Sequence, residues 1–340
     1  MRSSKEQALP PHLSKSEVDK LPLTPGVYYF NLLIASANDT VKYRTYVTRT
    51  VKGLKAFNTA TDHAAWIDEA IIYQILPASF VKKGGFDAIT AKLSEIKLLG
   101  INTIYLQPVT KTENGGQGYD VTDYMVVDER LGTEQQLKRL IDLSKALGMR
   151  VILDMVPNHT SVNHPFAVDA VANGKNSHYY NFYQRVNDNA PYSSFYHTDK
   201  NGFMYYFWDG LVNLNYNNPE VQQWMIEVCK YWVNKYDIDG YRFDAVWGVN
   251  ARTPQFSKRL QAELKAIKPE LLLLAEDKAT DPAVYKNGYD AAYDWTSDTA
   301  WVSQWTWQTH HDGKKSLTIF NLADSTKRAP MLHEALFEIR

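Results

Sequence analysis

A single cysteine in 340 residues excludes an internal disulfide and a thiolate metal cluster. Cys229 falls inside 221–236, which reads as a helix without a Cys/His motif, so a buried structural thiol is expected. An excess of either charge is also missing. The net value is −1 and no long basic run occurs, which argues against a nucleic-acid surface. No stretch approaches the roughly 18 apolar residues of a membrane span. Residues 1–11 carry charges and prolines in place of an apolar signal core, so a cytoplasmic protein is expected, with no membrane partner. A phosphate-binding glycine turn is absent too, since Lys82-Lys83-Gly84-Gly85 does not supply one. Nothing in the sequence sets an oligomeric state.

Aromatic residues are plentiful, with 9 Trp and 22 Tyr. Their faces suit the C–H faces of sugars, although ordinary packing accounts for the composition as well. Residues 1–65 read as a polar lead-in followed by two or three strands, a partial β-sandwich-like segment. From Ile71 onward strand and helix alternate. Strands are expected over 71–76, 101–106, 149–155, 238–243, 271–276 and 290–294. Helices are expected over 86–99, 133–147, 219–236 and 254–267, with weaker ones over 301–307 and 330–339. An aromatic, Asn-rich excursion over 157–218 shows little regular period, and one so long inside a compact domain is usually functional. The fold class that follows is α/β. It is a (β/α)8 TIM barrel over 66–156 and 219–340 with about six strands, and 157–218 is inserted after strand 3.

Two strand-like runs end abruptly in carboxylates: Gly240-Tyr241-Arg242-Phe243-Asp244 and Leu273-Leu274-Ala275-Glu276. In a parallel barrel both ends reach one face. Arg242 shares the side of Asp244, because strand side chains alternate with period two. A cation there favours the ionised carboxylate that a nucleophile must be. One ionised and one protonated carboxyl is the asymmetry that glycoside hydrolysis needs. Two further strand ends carry Gly118-Tyr119-Asp120-Val121-Thr122-Asp123-Tyr124 and Asp154-Met155-Val156-Pro157-Asn158-His159.

Together, in this order, these segments closely resemble the α-amylase family of retaining glycoside hydrolases. Asp154–His159 is similar to that family's first signature, 240–246 to its second, and the glutamate of Leu273-Leu274-Ala275-Glu276-Asp277-Lys278 to its third. Gly210-Leu211-Val212-Asn213-Leu214-Asn215 resembles its short extra signature. The resemblance covers about residues 66–340 and implies a hydrolase of α-glucosidic, mainly α-1,4, bonds in maltooligosaccharides or related α-glucans. It implies that Asp244 is the nucleophile and Glu276 the acid/base, about 5–5.5 Å apart as in retaining pairs. Arg242 would orient Asp244, His159 would bond sugar hydroxyls, Tyr119 would stack on the sugar, and Asp154 would organise the loops. No cofactor is required for this chemistry. Asn158 stands where many relatives place a structural calcium ligand, with Asp169, Asp188 and Asp199 as further oxygen donors. A bond from Asn158 to loop backbone explains the residue equally well.

The pattern departs from the family in two places. The Lys-His pair that commonly follows the nucleophile is replaced by Val246-Trp247-Gly248, where Trp247 would either stack a leaving-group sugar or pack under its loop. This keeps glucanotransferase (transglycosylase) action open. No fourth signature follows Glu276, since neither His310-His311-Asp312 nor Phe320-Asn321-Leu322-Ala323-Asp324 supplies it. The expectation is a chain shortened before strand seven, which also leaves an inactive glycan-binding fragment open.

Overall fold

The computed structural model describes residues 16, 24–35, 40–59, 62–81, 84–113, 117–185, 196–279 and 281–293. The expectations placed on Asp188, Asp294 and the stretches beyond, including strand seven, lie outside the described residues. Two compact units are present: residues up to Asp62 with Ala266–Pro269, and the remainder.

In the first unit β1 (Gly26–Ala35), β2 (Thr40–Thr50) and β3 (Gly53–Ala56) form an antiparallel meander. Its core is small. Tyr46 packs on Phe57 at 4.5 Å and on Tyr29 at 5.7 Å between ring centres.

The second unit begins with β4 (Ile72–Ile75), α1 (Phe86–Leu98) and β5 (Thr103–Leu106). A hairpin of β6 (Thr110–Thr112) and β7 (Val121–Val127) follows, then α2 (Glu134–Ala146) and β8 (Arg150–Met155). Thr133 caps α2 in a reciprocal box with Gln136, which sets its start. The excursion after β8 is more regular than its sequence suggests. It holds β9 (His159–Ser161), α3 (Pro165–Asn173), the short β10 (His197–Thr198) and β11 (Met204–Tyr205), and β12 (Leu211–Asn213). The period was hidden because these pieces are short and separately capped; His164, for example, accepts from the Phe166 amide at the start of α3. The chain continues with α4 (Pro219–Tyr236), β13 (Gly240–Phe243), α5 (Val246–Arg252), α6 (Pro254–Ile267), β14 (Leu272–Lys278), α7 (Pro282–Lys286) and β15 (Ala291–Tyr293). Cys229 is buried in α4. Among the described residues no helix is long and apolar enough to cross a membrane.

Sheet order decides between the two parallel architectures. The six strands run β4-β5-β8-β13-β14-β15, every pair parallel and every neighbour the next barrel strand in the chain. A doubly wound sheet reverses its order at a switch point, and this one does not, as a barrel requires. Tyr105, Ile152, Leu272 and Leu274 pack together in its interior. Gly240 lies in register between Ile152 and Leu272, and a Cβ there would collide with the Leu272 backbone. The absence of a side chain lets β13 sit close to β14.

A buried ion pair fixes the start of the last strands. Lys265 Nζ donates to both Asp290 oxygens at 3.1 and 2.9 Å and to the Leu271 carbonyl at 2.5 Å. Burial pulls the lysine down and pushes the aspartate up, so each needs the other to stay charged. Lys265→Met leaves a buried carboxylate with only the Leu273 amide and no cation, and is expected to lower the unfolding free energy by about 3–5 kcal/mol. A urea melt checks this, and an unchanged midpoint would show that Asp290 finds another partner.

Candidate active site

β8, β13 and β14 lie side by side with Arg242 opposite both Asp154 and Leu274. Asp244 is two residues past Arg242 and Glu276 two past Leu274, so alternation aims all four polar side chains the same way. The Asp244 amide donates to the Met155 carbonyl at 2.7 Å, which carries the β13–β8 pairing one residue beyond the strand.

The Arg242 guanidinium is the hub. Nη1 donates to Asp244 Oδ1 at 2.7 Å and to Asp154 Oδ1 at 3.1 Å, and Nη2 reaches Glu276 Oε1 at 2.7 Å. Nε donates to the Tyr293 hydroxyl at 3.3 Å. Sequence reasoning gave Arg242 to Asp244 alone, whereas here one cation is divided among three carboxylates. Full ionisation would leave an excess of two negative charges in a buried site. Burial pushes Asp244 well above the usual carboxylate range; Arg242 pulls it down, while Glu276 and Asp154 push it up further. Burial likewise raises Asp154 to about 6 against the pull of Arg242. Both shifts have one cause, three carboxylates crowded in a buried site around a single cation, so the cluster resists carrying all its negative charges at once.

Glu276 is held from two sides. Its Oε2 accepts the Ala245 amide at 2.6 Å, while Oε1 pairs with the Arg242 cation at 2.7 Å. Ala245 itself has φ 45° and ψ 27°, a left-handed conformation that costs a non-glycine residue about 1–3 kcal/mol. That turn points its N–H back at Glu276 and starts α5 directly behind Asp244.

Asp154 is buried and accepts from Tyr105, from Tyr119 at 3.0 Å and from Arg242. Tyr119 sits just ahead of β7, with its hydroxyl committed to Asp154. His159 is buried, and burial lowers its pKa to about 4, so the ring is neutral. Its Nε2 lies 3.2 Å from the Tyr119 carbonyl and its Nδ1 lies 3.2 Å from Asn158 Nδ2. Both ring nitrogens have protein partners here, so a sugar contact would have to displace one. Trp247 stands on α5 against Tyr206 at 5.1 Å and Phe207 at 6.4 Å.

The Asn158 side chain bonds other side chains, and not the loop backbone that one of the sequence readings gave it. Its Oδ1 accepts from Arg252 Nη2 at 3.0 Å and its Nδ2 donates to Asn213 at 3.3 Å. A calcium ion would need that oxygen and at least five more. Asp169 is taken by Ser177 and Asn173, and Asp199 Oδ1 accepts the Asn201 and Phe203 amides at 2.9 and 2.8 Å. Among the described residues no three His, Cys, Asp or Glu side chains gather as a metal set. Among the described residues the donors do not fit the ion.

Sequence reasoning missed Tyr105, Tyr293, Phe207 and Arg252. Tyr105 was within reach, since period two in β5 puts it in phase with Thr103 and opposite Ile152, on the face that Asp154 continues. Phe207 packs edge-on to His159 at 5.7 Å from 48 residues further along the chain, and no local pattern marks it.

The catalytic-domain model of the α-amylase family matches residues 56–330. This chain belongs to the α-amylase family. A maltogenic α-amylase from Bacillus acidopullulyticus is 32% identical over 241 residues, covering 62% of this chain and 39% of that protein. An oligo-1,6-glucosidase from Parageobacillus thermoglucosidasius is 30% identical over 198 residues, covering 53% of this chain and 35% of the relative. Among solved structures, a cyclic α-maltosyl-(1→6)-maltose hydrolase from Arthrobacter globiformis, bound to that sugar, superposes with a TM-score of 0.59 at 25% identity. That match covers 69% of this chain and 56% of the other. The chain thus spans about two fifths of the length of the curated relatives it matches. The (β/α)8 architecture of the α-amylase family agrees with the unreversed parallel sheet.

Proposed function

We propose that the chain carries the catalytic centre of a retaining glycoside hydrolase that cleaves α-glucosidic, mainly α-1,4, bonds in maltooligosaccharides. The observation that carries this reading is one guanidinium paired at 2.7 Å with each of two carboxylates from adjacent strands. In the reaction Asp244 attacks the anomeric carbon and forms a covalent glycosyl ester as the bond to the leaving oxygen breaks. Glu276 gives that oxygen its proton and then takes one from the incoming water, which releases the sugar with its original configuration. Asp154 and Arg242 hold the geometry, and Tyr119 with His159 borders the reacting sugar. Maltogenic, oligo-1,6-glucosidase and cyclic-maltoside activities among the similar proteins support an α-glucan substrate.

A second reading has its own observation. Phe207, edge-on to His159, and Trp208 against Phe207 are 44% and 56% exposed, an aromatic surface suited to an acceptor sugar. Interception of the ester by that sugar would make the chain a glucanotransferase. Maltoheptaose incubated with the 340-residue chain separates the two. Hydrolysis yields only shorter products, first seen by NMR as α-anomers, while transfer adds products longer than the substrate. First products in the β-form would overturn the retaining mechanism under either reading.

A further inference from the structure

Arg252 ends α5 eight residues after Asp244 and meets no carboxylate among the described residues. Its partners are neutral oxygens: Nη2 donates to Asn158 Oδ1 at 3.0 Å and Nη1 to the Tyr206 hydroxyl at 2.5 Å. The guanidinium carbon stands 5.1 Å from the Tyr206 ring centre, and Nε is buried without a partner. Three segments meet at this one group: the loop after β8, the inserted region, and the helix behind Asp244. The packing is tight. A Cβ on Gly248 would lie 2.9 Å from Asn158 Oδ1, 3.0 Å from Tyr206 Cε2 and 3.3 Å from Arg252 Nη1. A glycine at that turn of α5 is what gives the guanidinium room.

Oxygens of this kind are what a hard cation would take as ligands. We propose that Arg252 is the built-in cation of this site: it replaces the calcium that the family resemblance implies, and through Asn158 it positions the sugar-binding edge. With Oδ1 claimed by Arg252, the Asn158 amide nitrogen faces His159 Nδ1, and His159 Nε2 then turns to the Tyr119 carbonyl. Tyr119 in turn bonds Asp154. Arg252 touches no reacting atom, so it is a positioning residue. Its fixed charge and planar fork do permanently what a metal does only when bound.

Thermal unfolding and maltoheptaose kinetics test this on the full 340-residue chain. The parent's Tm is expected to stay within about 1 °C on adding EDTA, and likewise on adding calcium after EDTA is removed. Arg252→Ala strands the Asn158 oxygen and should lower Tm by roughly 3–9 °C. Turnover should split, with KM raised about tenfold and kcat within about threefold, because the residues displaced bind the sugar rather than react with it. Arg252→Lys keeps the charge and should bring KM back to within about threefold of the parent. A parent Tm that falls with EDTA and returns only with calcium would overturn the proposal. So would an alanine variant with the parent's Tm and KM, or a lysine variant as impaired as alanine. The unfolding measurements stand even if maltoheptaose is not the substrate, so failure of the functional reading is told apart from failure of this one.

Discussion

Asp244→Asn is expected to lower turnover of maltoheptaose by on the order of 10⁴- to 10⁶-fold without unfolding the chain. The amide keeps the shape and one acceptor for Arg242 Nη1, but it cannot form the ester that splits the reaction into two steps. Stability should move the other way. Asp244 is pushed up by burial first, with Glu276 and Asp154 adding to it. A carboxyl raised on folding contributes stability that is present at low pH and lost as pH climbs through its folded value. The neutral side chain avoids that loss. The variant's Tm should therefore match or exceed the parent's at pH 7, and the gap should close as the pH falls into the acid range. Circular dichroism melts across pH beside product analysis check both halves. Turnover within about tenfold of the parent would remove Asp244 from the nucleophile position.

Glu276→Gln makes a second large effect, and one that depends on the substrate. Natural oligosaccharides leave as poor alkoxides and need the proton, so their turnover should fall about 10²- to 10⁴-fold. An α-maltosyl fluoride leaves without protonation, so formation of the ester should be far less affected, and the alkaline limb of the pH profile should vanish. Structure adds a complication. Both Glu276 oxygens face donors, Oε2 accepting the Ala245 N–H and Oε1 standing 2.7 Å from Arg242 Nη2, and an amide offers only one acceptor. Its NH₂ must oppose a donor, at a cost of about 1–3 kcal/mol. Glu276→Ala, which removes that clash, is the control, and both variants should show the same preference for the fluoride. Equal losses on the two substrates would sink the acid role.

The strand-end carboxylates were legible in the sequence because period two and parallel topology are local rules with a single consequence. α4 was equally plain: Asn218 caps it, Pro219 opens it, and Asp237 ends it in a left-handed turn. α5 was not, since it starts from Ala245 without a capping side chain and carries Gly248 in its middle. The β6–β7 hairpin escaped as well, because its first strand is three residues long and its register shifts twice. At the site the residue types were readable, but their sharing was not. That Arg242 serves three carboxylates depends on β8 and β14 flanking β13, a relation across 88 and 34 residues of chain. Arg252 shows the limit most clearly, because its partners lie 46 and 94 residues away and no nearby pattern names them.

The Arg242–Asp154 pairing has a meaning for assembly as well as for chemistry. The two residues are direct cross-strand partners in the β13–β8 ladder. A slip of one position would send every side chain of β13 to the opposite face, and Arg242 would lose all three counterions inside an apolar layer. Hydrophobic residues tolerate such errors, because Tyr241 and Phe243 would still be buried on the other side. A lone guanidinium would not. The same group that gathers the carboxylates thus rejects mispaired barrels during folding, so a substitution at Arg242 is expected to damage the yield of correctly assembled protein before any substrate is met.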